Sequence, residues 1–212
     1  MGDGVAVDDE APAMDFAERL SLWVSAFDAI GLQASLQGIR GLATAPASAH
    51  GGARGSRTPD LAEDFRQARA VLAKAIAQDP RSLEPGEGAD GAVAGFAPYH
   101  RRHLELQRQM EQMVGALRDH VRQTVSRRSP RLRQLAALDA TLEPLLATRE
   151  QILLPKAAAL LKARFDQMRA TEDGPAAFAR HWHDALLAEL DLRLEPVAGL
   201  IAALGNELKN RP

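Results

Sequence analysis

Residues 98–170 read PYHRRHLELQRQMEQMVGALRDHVRQTVSRRSPRLRQLAALDATLEPLLATREQILLPKAAALLKARFDQMRA. Apolar residues recur at steps of three and four in two successive segments of this stretch. The first segment holds Leu106, Met110, Met113, Leu117, Val121 and Val125, and the second holds Leu132, Leu135, Leu138, Leu142, Leu145, Ile152, Leu160 and Phe165. Such steps place apolar side chains on one face of an α-helix. The stretch therefore predicts two long amphipathic helices, which must bury these faces against each other or against a third helix.

The boundary between the two predicted helices lies at Ser129-Pro130. Serine is a favoured N-cap, and proline suits the first helical position because its missing N–H has no partner there anyway. Arg127 and Arg128 suit the end of the preceding helix, since cations favour the partial negative charge of a helix C-terminus. A first arm over 98–126 would span about 43 Å, a length typical of a bundle or coiled coil. We expect an antiparallel hairpin that buries Leu117, Val121, Leu135 and Leu138.

The composition favours helices throughout the chain. Only 4 % of the 212 residues are aromatic, and alanine and leucine dominate over β-branched residues. The chain has no cysteine, which excludes disulfides and thiol chemistry. It has no apolar run of about 18 residues that could span a membrane, and its acidic start does not read as a signal peptide. We therefore expect an all-α protein in the cytoplasm.

Glycine- and proline-rich stretches separate the predicted helices. We expect a disordered acidic leader over 1–14, an N-terminal helical pair over 15–78 with a flexible linker at 41–57, a second linker at 79–95 and a long-helix bundle over 96–209. Both linkers should be protease-sensitive, because they offer little to bury. The predicted fold is a helical bundle built on the long antiparallel hairpin, with two N-terminal helices and one C-terminal helix.

Some residues define these helices more closely. The first N-terminal helix should run toward Leu36 with Ile30 on its apolar face, and the second should begin at Thr58-Pro59-Asp60, with Asp60 as a first-turn acid. Prolines inside a helical pattern interrupt the hydrogen-bond ladder. We therefore expect Pro144 and Pro155 to kink or divide the second arm of the hairpin, and Pro196 to kink the C-terminal helix.

Motifs of catalysis and metal binding are weak in this sequence. His100 and His103 have the spacing of a helical metal pair, but no Cys, Asp or Glu set accompanies them, so a solvated basic face is the preferred interpretation. The stretch GGARGSRT at 51–58 lacks the Gly-Lys-Ser/Thr ending of a phosphate loop. No serine lies in a strand–turn–helix elbow of the kind that hydrolases use. We expect no catalytic residue, no metal ligand, no cofactor and no small-molecule substrate.

Charge is unevenly distributed along the chain. The net charge is −2, yet the arm from Tyr99 to Arg133 holds nine arginines and three acids. Such an arm can bind nucleic-acid phosphates or an acidic protein, and the alternative is a solvated face paired with acidic neighbours. The candidate partner- or phosphate-binding residues are Arg101, Arg102, Arg108, Arg118, Arg122, Arg127 and Arg128. Replacing Arg118 and Arg122 by glutamate is expected to abolish such binding without unfolding the helix.

Several stretches of the chain, spread over residues 19–204, resemble a bacterial family, the domain of unknown function 3348. The most specific stretch is Ser129-Pro130-x-Leu132-x-x-Leu135-Ala136-Ala137-Leu138-Asp139-Ala140. The others are Arg19-Leu20-Ser21-x-Trp23, Phe27-Asp28-Ala29-Ile30-x-Leu32, Phe96-x-Pro98-Tyr99, Gln107-x-x-Met110, Glu150 with Leu153-Leu154, Arg164-Phe165, and Glu189-Leu190-x-x-Arg193-Leu194-x-Pro196-Val197-x-Gly199-Leu200. The family offers no catalytic motif to carry over. Its members have a further apolar helical segment before the Trp23 helix, where this chain has an acidic leader.

This resemblance implies a functional context. Genes of the family are associated with MotA/TolQ-like and OmpA/MotB-like membrane-motor genes, an arrangement similar to one type of the Zorya anti-phage defence systems. The likeness implies a non-enzymatic cytoplasmic accessory or effector that acts by protein–protein interaction. Its partners would be membrane-motor or other defence-system proteins encoded nearby, and self-association stays open. The alternative is a nucleic-acid-binding effector that binds DNA through Arg101–Arg133. A protein partner is favoured, because base-stacking aromatics are scarce and the net charge is slightly negative.

Overall fold

The structure, a computed structural model, describes residues 26–42, 60–80, 95–170 and 173–210. These residues form five helices, and none of them lies in a strand, so the expected all-α class is confirmed. The helices are α1 (Ala26–Gly41), α2 (Leu61–Ile76), α3 (Ala97–Ser126), α4 (Pro130–Met168) and α5 (Gly174–Lys209). The expected leader, the first part of the first predicted helix and nearly all of both expected linkers lie outside the described residues.

The local sequence explains where α2 and α4 begin. The Ser129 hydroxyl accepts a hydrogen bond from the backbone N–H three residues on, at 3.2 Å, and Pro130 takes the first helical position, as predicted. The Asp60 carboxylate accepts a hydrogen bond from the Glu63 N–H at 3.0 Å. Asp60 is therefore the N-cap of α2 itself and not the first-turn acid that the sequence predicted.

The helices α3 and α4 run in opposite directions. Arg118 of α3 binds Asp139 of α4 close to the turn, and at the far end the rings of Phe96 and Phe165 lie 5.6 Å apart. Only residues 127–129 separate the two helices. This arrangement is compatible with the expected hairpin.

The helices α3 and α5 are the central pair of a four-helix bundle. They run in the same direction, because Tyr99 packs against Trp182 and, two turns further on, Gln107 bonds to Glu189. The helix α2 contacts both members of the pair from one side, and α4 contacts both from the other. Most of the buried apolar residues therefore belong to α3 and α5.

The core confirms most of the apolar face predicted for α3, and α5 buries a face of the same kind. On α3 and α5 the buried apolar residues are Tyr99, Leu106, Met110, Val114, Leu117, Val121, Val125, Phe178, Trp182, Leu186, Leu190, Leu194, Val197, Leu200 and Leu204. At the end of the bundle away from the turn, five rings have neighbouring centroids 5.0 to 6.2 Å apart: Phe96, Tyr99, Phe165, Phe178 and Trp182. Edge-on ring pairs of this kind stabilise a core beyond the area that they bury.

The burial of α4 differs from the prediction. Leu135 and Leu138 are half-buried instead of buried, and Ile152 and Leu160 are 49 % and 71 % exposed. The apolar residues of α4 are distributed around much of its circumference, whereas the central pair covers only one side of the helix. Spacing alone therefore overestimated the share of α4 that belongs to the core.

The prolines of α4 and α5 do not divide these helices. Pro144 and Pro155 both lie inside the continuous helix α4, and Pro196 lies inside α5. The second arm is therefore kept as one helix, and the expected kinks stay predictions. A proline in a helix interior removes one hydrogen bond and costs roughly 3 kcal/mol. Pro144 and Pro155 are both exposed, where water can hydrate the carbonyl that loses its donor.

The helix α1 packs on the outside of α4. The Gln134 side chain of α4 donates a hydrogen bond to the Ile39 carbonyl at 3.1 Å, and the two helices are in contact. Leu32, Ser35 and Ile39 of α1 are half-buried, as is Leu42 directly after the helix. Ile30 is 67 % exposed, so the contact face of α1 is not the face predicted through Ile30.

Candidate functional site

Arg118 and Arg122, two of the seven arginines singled out in the sequence, bind acids of α4. Two nitrogens of Arg118 donate to the Asp139 carboxylate at 2.9 and 2.6 Å. Arg122 lies 2.6 Å from Glu143 and 3.4 Å from Asp139, and it also binds Asp119. We call Arg118, Arg122, Asp139 and Glu143 the hairpin ion cluster. The side chains of Arg118 and Asp139 are only 10 % and 11 % exposed.

The environment of Arg122 favours its charged form. Burial acts to lower the pKa of Arg122, but hydrogen bonds and charge attraction from Asp119 and Glu143 outweigh burial and raise it. A charge held inside a protein is costly to leave without its partner. The structure therefore predicts that reversing Arg118 and Arg122 destabilises the bundle, in contrast to the expectation from helix propensity.

Arg102 and His103 also face the interior, so the solvated basic face preferred for the two histidines is wrong for His103, and Arg102 is not on the exposed surface of the basic arm. Arg102 donates to the Ala75 carbonyl at 2.9 Å, to the Gln78 side chain at 3.1 Å and to Glu105 at 2.8 Å. The carbonyls at a helix C-terminus need such outside donors. Arg102 thus joins α3 to the end of α2.

His103 is a buried histidine of the core. It is 4 % exposed, and neither of its ring nitrogens has a hydrogen-bond partner in the protein. Burial lowers the pKa of His103, and the charge of Glu189 offsets part of that effect. His100 is exposed. In the described ranges no group of three or more His, Cys, Asp or Glu is placed to hold a metal ion.

The other four candidate arginines lie in two separate places. Arg101 and Arg108 are on the exposed side of the first half of α3. The others lie at the hairpin turn, beside two arginines of the first turn of α4. We call this second group the turn arginines: Arg127, Arg128, Arg131 and Arg133. The predicted basic arm is therefore not one continuous surface, because the hairpin ion cluster lies between its two exposed parts.

A groove of about 890 Å³ lies between the first part of α3 and the second half of α4. Its α3 side is formed by Phe96, Ala97, His100, Leu104 and Gln107, and its α4 side by Gln151, Leu154, Pro155, Ala158, Ala159 and Lys162. We call it the α3–α4 groove. Sequence reasoning missed it, because alanines in an alanine-rich helix give no separate signal. The sequence does contain one sign of the groove: the spacing of its lining residues on α4 places them on one helical face. These residues are Gln151, Pro155, Ala158, Ala159 and Lys162.

A polar network lies beneath the groove and fixes its position. The Gln107 amide donates to Glu189 at 3.2 Å, and Arg193 donates to both Glu189 and Glu150 at 3.0 Å. These bonds join α3, α5 and α4. Because Gln107 lines the groove and Glu150 precedes a lining residue, the network holds both walls, and we expect the groove to be formed before any ligand binds.

The groove is mainly apolar, with a few polar groups. Pro155 has no N–H, so the Gln151 carbonyl lacks its usual donor four residues on. Both residues line the groove, as does Lys162, which is paired with Asp166. Among the described residues that line the groove, none carries a carboxylate, hydroxyl or thiol. This lining is suited to binding an apolar surface, with few polar groups to orient it.

The comparison with protein families matches residues 5–206 to a family described as Protein of unknown function (DUF3348). The chain belongs to this family. The match confirms the family that the sequence resembles and covers nearly all of the chain. No curated protein and no solved structure matched the DUF3348 chain. Within the described residues, no helix is both long enough and apolar enough to cross a membrane.

The stretches that carry the DUF3348 resemblance contain residues that hold the fold. The run over 129–140 contains the N-cap of α4 and Asp139 of the hairpin ion cluster. The run over 189–200 contains Glu189 and Arg193 of the network beneath the groove. These residues therefore cap a helix or join neighbouring helices through hydrogen bonds and ion pairs.

Proposed function

We propose that this DUF3348 protein is a non-enzymatic cytoplasmic accessory or effector of a motor-linked anti-phage defence system, acting by binding another protein. The observation that carries the protein-binding part is the apolar α3–α4 groove. In the second half of α4, three further apolar side chains have about half or more of their surface exposed: Ile152, Leu153 and Leu160. Concentrated exposed apolar surface is typical of protein interaction sites.

The defence context rests on the family. The family resemblance implies genes associated with MotA/TolQ-like and OmpA/MotB-like membrane-motor genes, so the proposed partners are proteins encoded nearby. The pairing of charges supports a protein partner over DNA as well. Arg102, Arg118 and Arg122 are bound inside the bundle, which removes three of the seven arginines that a phosphate backbone would use.

Co-purification with the proteins encoded by the neighbouring genes tests the proposal. The tagged full-length chain is co-expressed with each neighbour separately, and membrane components are extracted with mild detergent. We expect at least one neighbour to co-purify in a fixed ratio through size-exclusion chromatography. If no neighbour is retained at low or at physiological salt, the protein is not an accessory of that assembly.

The turn arginines favour a second candidate function, the binding of a nucleic acid. The four residues lie at one end of the bundle, and the segment 120–138 contains no acid. Arg40, in the last turn of α1, is exposed. It lies near this end of the bundle because the neighbouring Ile39 carbonyl accepts a hydrogen bond from Gln134 of α4. Four phosphate contacts on duplex DNA would give a slope of about −3 to −4 for log affinity against log salt.

Fluorescence anisotropy with a labelled DNA duplex at several salt concentrations separates the two candidates. If the chain acts by binding a protein, its Kd for DNA should lie in the non-specific range of about 10⁻⁴ to 10⁻⁶ M at physiological salt. Tighter binding that weakens when Arg127 and Arg131 are both replaced by alanine would favour the nucleic-acid effector instead. Lys156→Ala with Arg164→Ala is the matched control, since these exposed cations of α4 are away from the turn and outside the candidate set.

A further inference from the structure

We infer that the α3–α4 groove is a docking site for an amphipathic α-helix of another protein whose apolar face is flanked by acidic residues. The inference rests on the proposed protein-binding function and specifies the chemistry of the partner. It comes from three features of the groove: its apolar walls, the small residues on its floor and the sign of the charges at its edges.

The walls and the floor suit a helix. Phe96 and Leu104 of α3 face Leu154 and Pro155 of α4 across the groove. On α4 the next turn contributes only alanines to the lining, Ala158 and Ala159. Small residues let another backbone approach closely, and an amphipathic helix can place side chains at i, i+3, i+4 and i+7 between the walls.

The free charges at the edges of the groove are mainly positive. Arg108 lies one turn after Leu104, Lys156 follows Pro155, and both side chains are exposed. Neither has an ion-pair partner among the described residues. The acids nearby are already bound: Asp166 to Lys162 and Glu150 to Arg193. The exposed Glu111, one turn after Gln107 on the same face of α3, offsets one of the two cations, so the free charge at the edges stays positive. A partner with acidic flanks therefore complements these edges.

The same charges argue against a second copy of the chain as the occupant. In a symmetric dimer each subunit uses the same surface, so the basic edges of one groove would meet the basic edges of the other. The exposed part of α4 beyond the groove adds Arg164 and Arg169. Like charges would then face one another across the interface, which is destabilising.

Two designed helical peptides test the inference. Each has about 18 residues, long enough to span the groove, with the same apolar face of Leu and Phe, and their flanks carry only Glu or only Lys. Fluorescence anisotropy measures their binding to the full-length chain. We expect saturable binding of the Glu peptide, about tenfold tighter than that of the Lys peptide at low salt, with a preference that shrinks as salt screens it.

Variants assign the binding to the groove. Ala159→Arg fills the floor and should weaken binding of the Glu peptide about tenfold or more, whereas Ala157→Arg adds the same side chain to the opposite side of α4 and should leave binding unchanged. Arg108→Glu with Lys156→Glu should reverse the preference, so that the Lys peptide binds more tightly. Thermal melts confirm that each variant is folded.

Several outcomes would overturn the inference. They are equal affinity for both peptides, no saturable binding, or binding that Ala159→Arg does not change. Self-association that Ala159→Arg abolishes in sedimentation would assign the groove to a second copy. If a neighbour protein still co-purifies with Ala159→Arg, the proposed function stands and the groove is not its docking site. If the peptides bind as expected while no neighbour co-purifies, the docking site stands and the defence context fails.

Discussion

The two halves of α4 meet α3 in opposite ways. Near the turn, Asp139 and Glu143 hold two arginines of α3 in a largely buried ion cluster. From Gln151 to Lys162, α4 encloses the α3–α4 groove together with α3, and Leu160 is 71 % exposed. In the first half charges are inside the protein, and in the second half apolar residues are outside.

This difference suggests that one long helix serves two purposes. Its first half fixes the hairpin through charges that are costly to leave unpaired. Its second half contributes Phe165 to the aromatic end of the bundle but leaves much of its apolar surface to solvent. We infer that the first half of α4 mainly supports the fold and that the second half mainly supports binding. Three sets of variants test this division, and acidification tests the buried histidine of the core. The four experiments follow from the largest expected effect to the smallest.

Reversal of Arg118 and Arg122 to glutamate should have the largest effect. The change places two carboxylates against Asp139 and Glu143, and breaking a buried ion pair alone costs roughly 3–5 kcal/mol. Urea denaturation followed by circular dichroism measures the loss. Arg108→Glu with Arg131→Glu is the control with the same charge change at exposed positions. An equal loss in both double variants would mean that the hairpin ion cluster adds no specific stability.

Truncation of one leucine in the core and one in the first half of α4 should lower the free energy of unfolding by different amounts. Leu106 of α3 is fully buried, so Leu106→Ala should cost roughly 2–5 kcal/mol. Leu138 of α4 is half-buried, so Leu138→Ala should cost only about 1 kcal/mol. The same denaturation experiment compares them. A larger loss for Leu138→Ala would place the first half of α4 in the core, as the sequence pattern alone predicts.

Acidification should destabilise the protein through His103. Because burial holds the pKa of His103 below its ordinary value of 6.5, the unfolded chain takes up a proton first as the pH falls. The stability is therefore complete above pH 6.5 and declines below it. Nearby, Glu189 acts to raise this pKa and His100 to lower it. Thermal midpoints between pH 7 and pH 5 should fall less in His103→Leu than in the unaltered protein.

The control for the histidine is His181→Leu, since His181 is exposed on α5. We expect this variant to keep the pH dependence of the unaltered protein. If the slope of the thermal midpoint against pH is the same in His103→Leu and in the unaltered protein, the loss at low pH arises from other groups.

Polar substitution of the exposed part of α4 should have the smallest effect. Ile152 and Leu160 are largely in contact with water in the folded protein, so Ile152→Gln with Leu160→Gln should change the free energy of unfolding by no more than about 0.5 kcal/mol. Leu190→Gln on the buried face of α5 is the contrasting control and should be strongly destabilising. A comparable loss in both proteins would show that the second half of α4 is packed in solution.

The features that depend on local spacing could be predicted from the sequence. The end of α3 and the start of α4 follow from Ser129 and Pro130. The buried face of α5 follows from apolar residues at steps of three and four. The family resemblance was likewise readable from short motifs. These signals lie within one or two turns of the residues that they describe.

The positions of charges and exposed leucines could not be predicted in this way. Arg118 is inside because Asp139, 21 residues away, lies opposite it across the hairpin. Leu160 is outside because α4 borders the central pair on one side only. The groove arises between two helices, and its floor consists of alanines that resemble those elsewhere in α4. Each of these features depends on how the helices are arranged in space.

Hydrogen–deuterium exchange of the full-length chain, with and without the Glu peptide, tests the division of α4 most directly. We expect the peptide to slow exchange in 96–107 and 151–162, which form the groove, and to leave exchange in 130–139 unchanged. Slower exchange centred on the hairpin turn at 127–133, or an equal change along the whole of α4, would contradict this expectation.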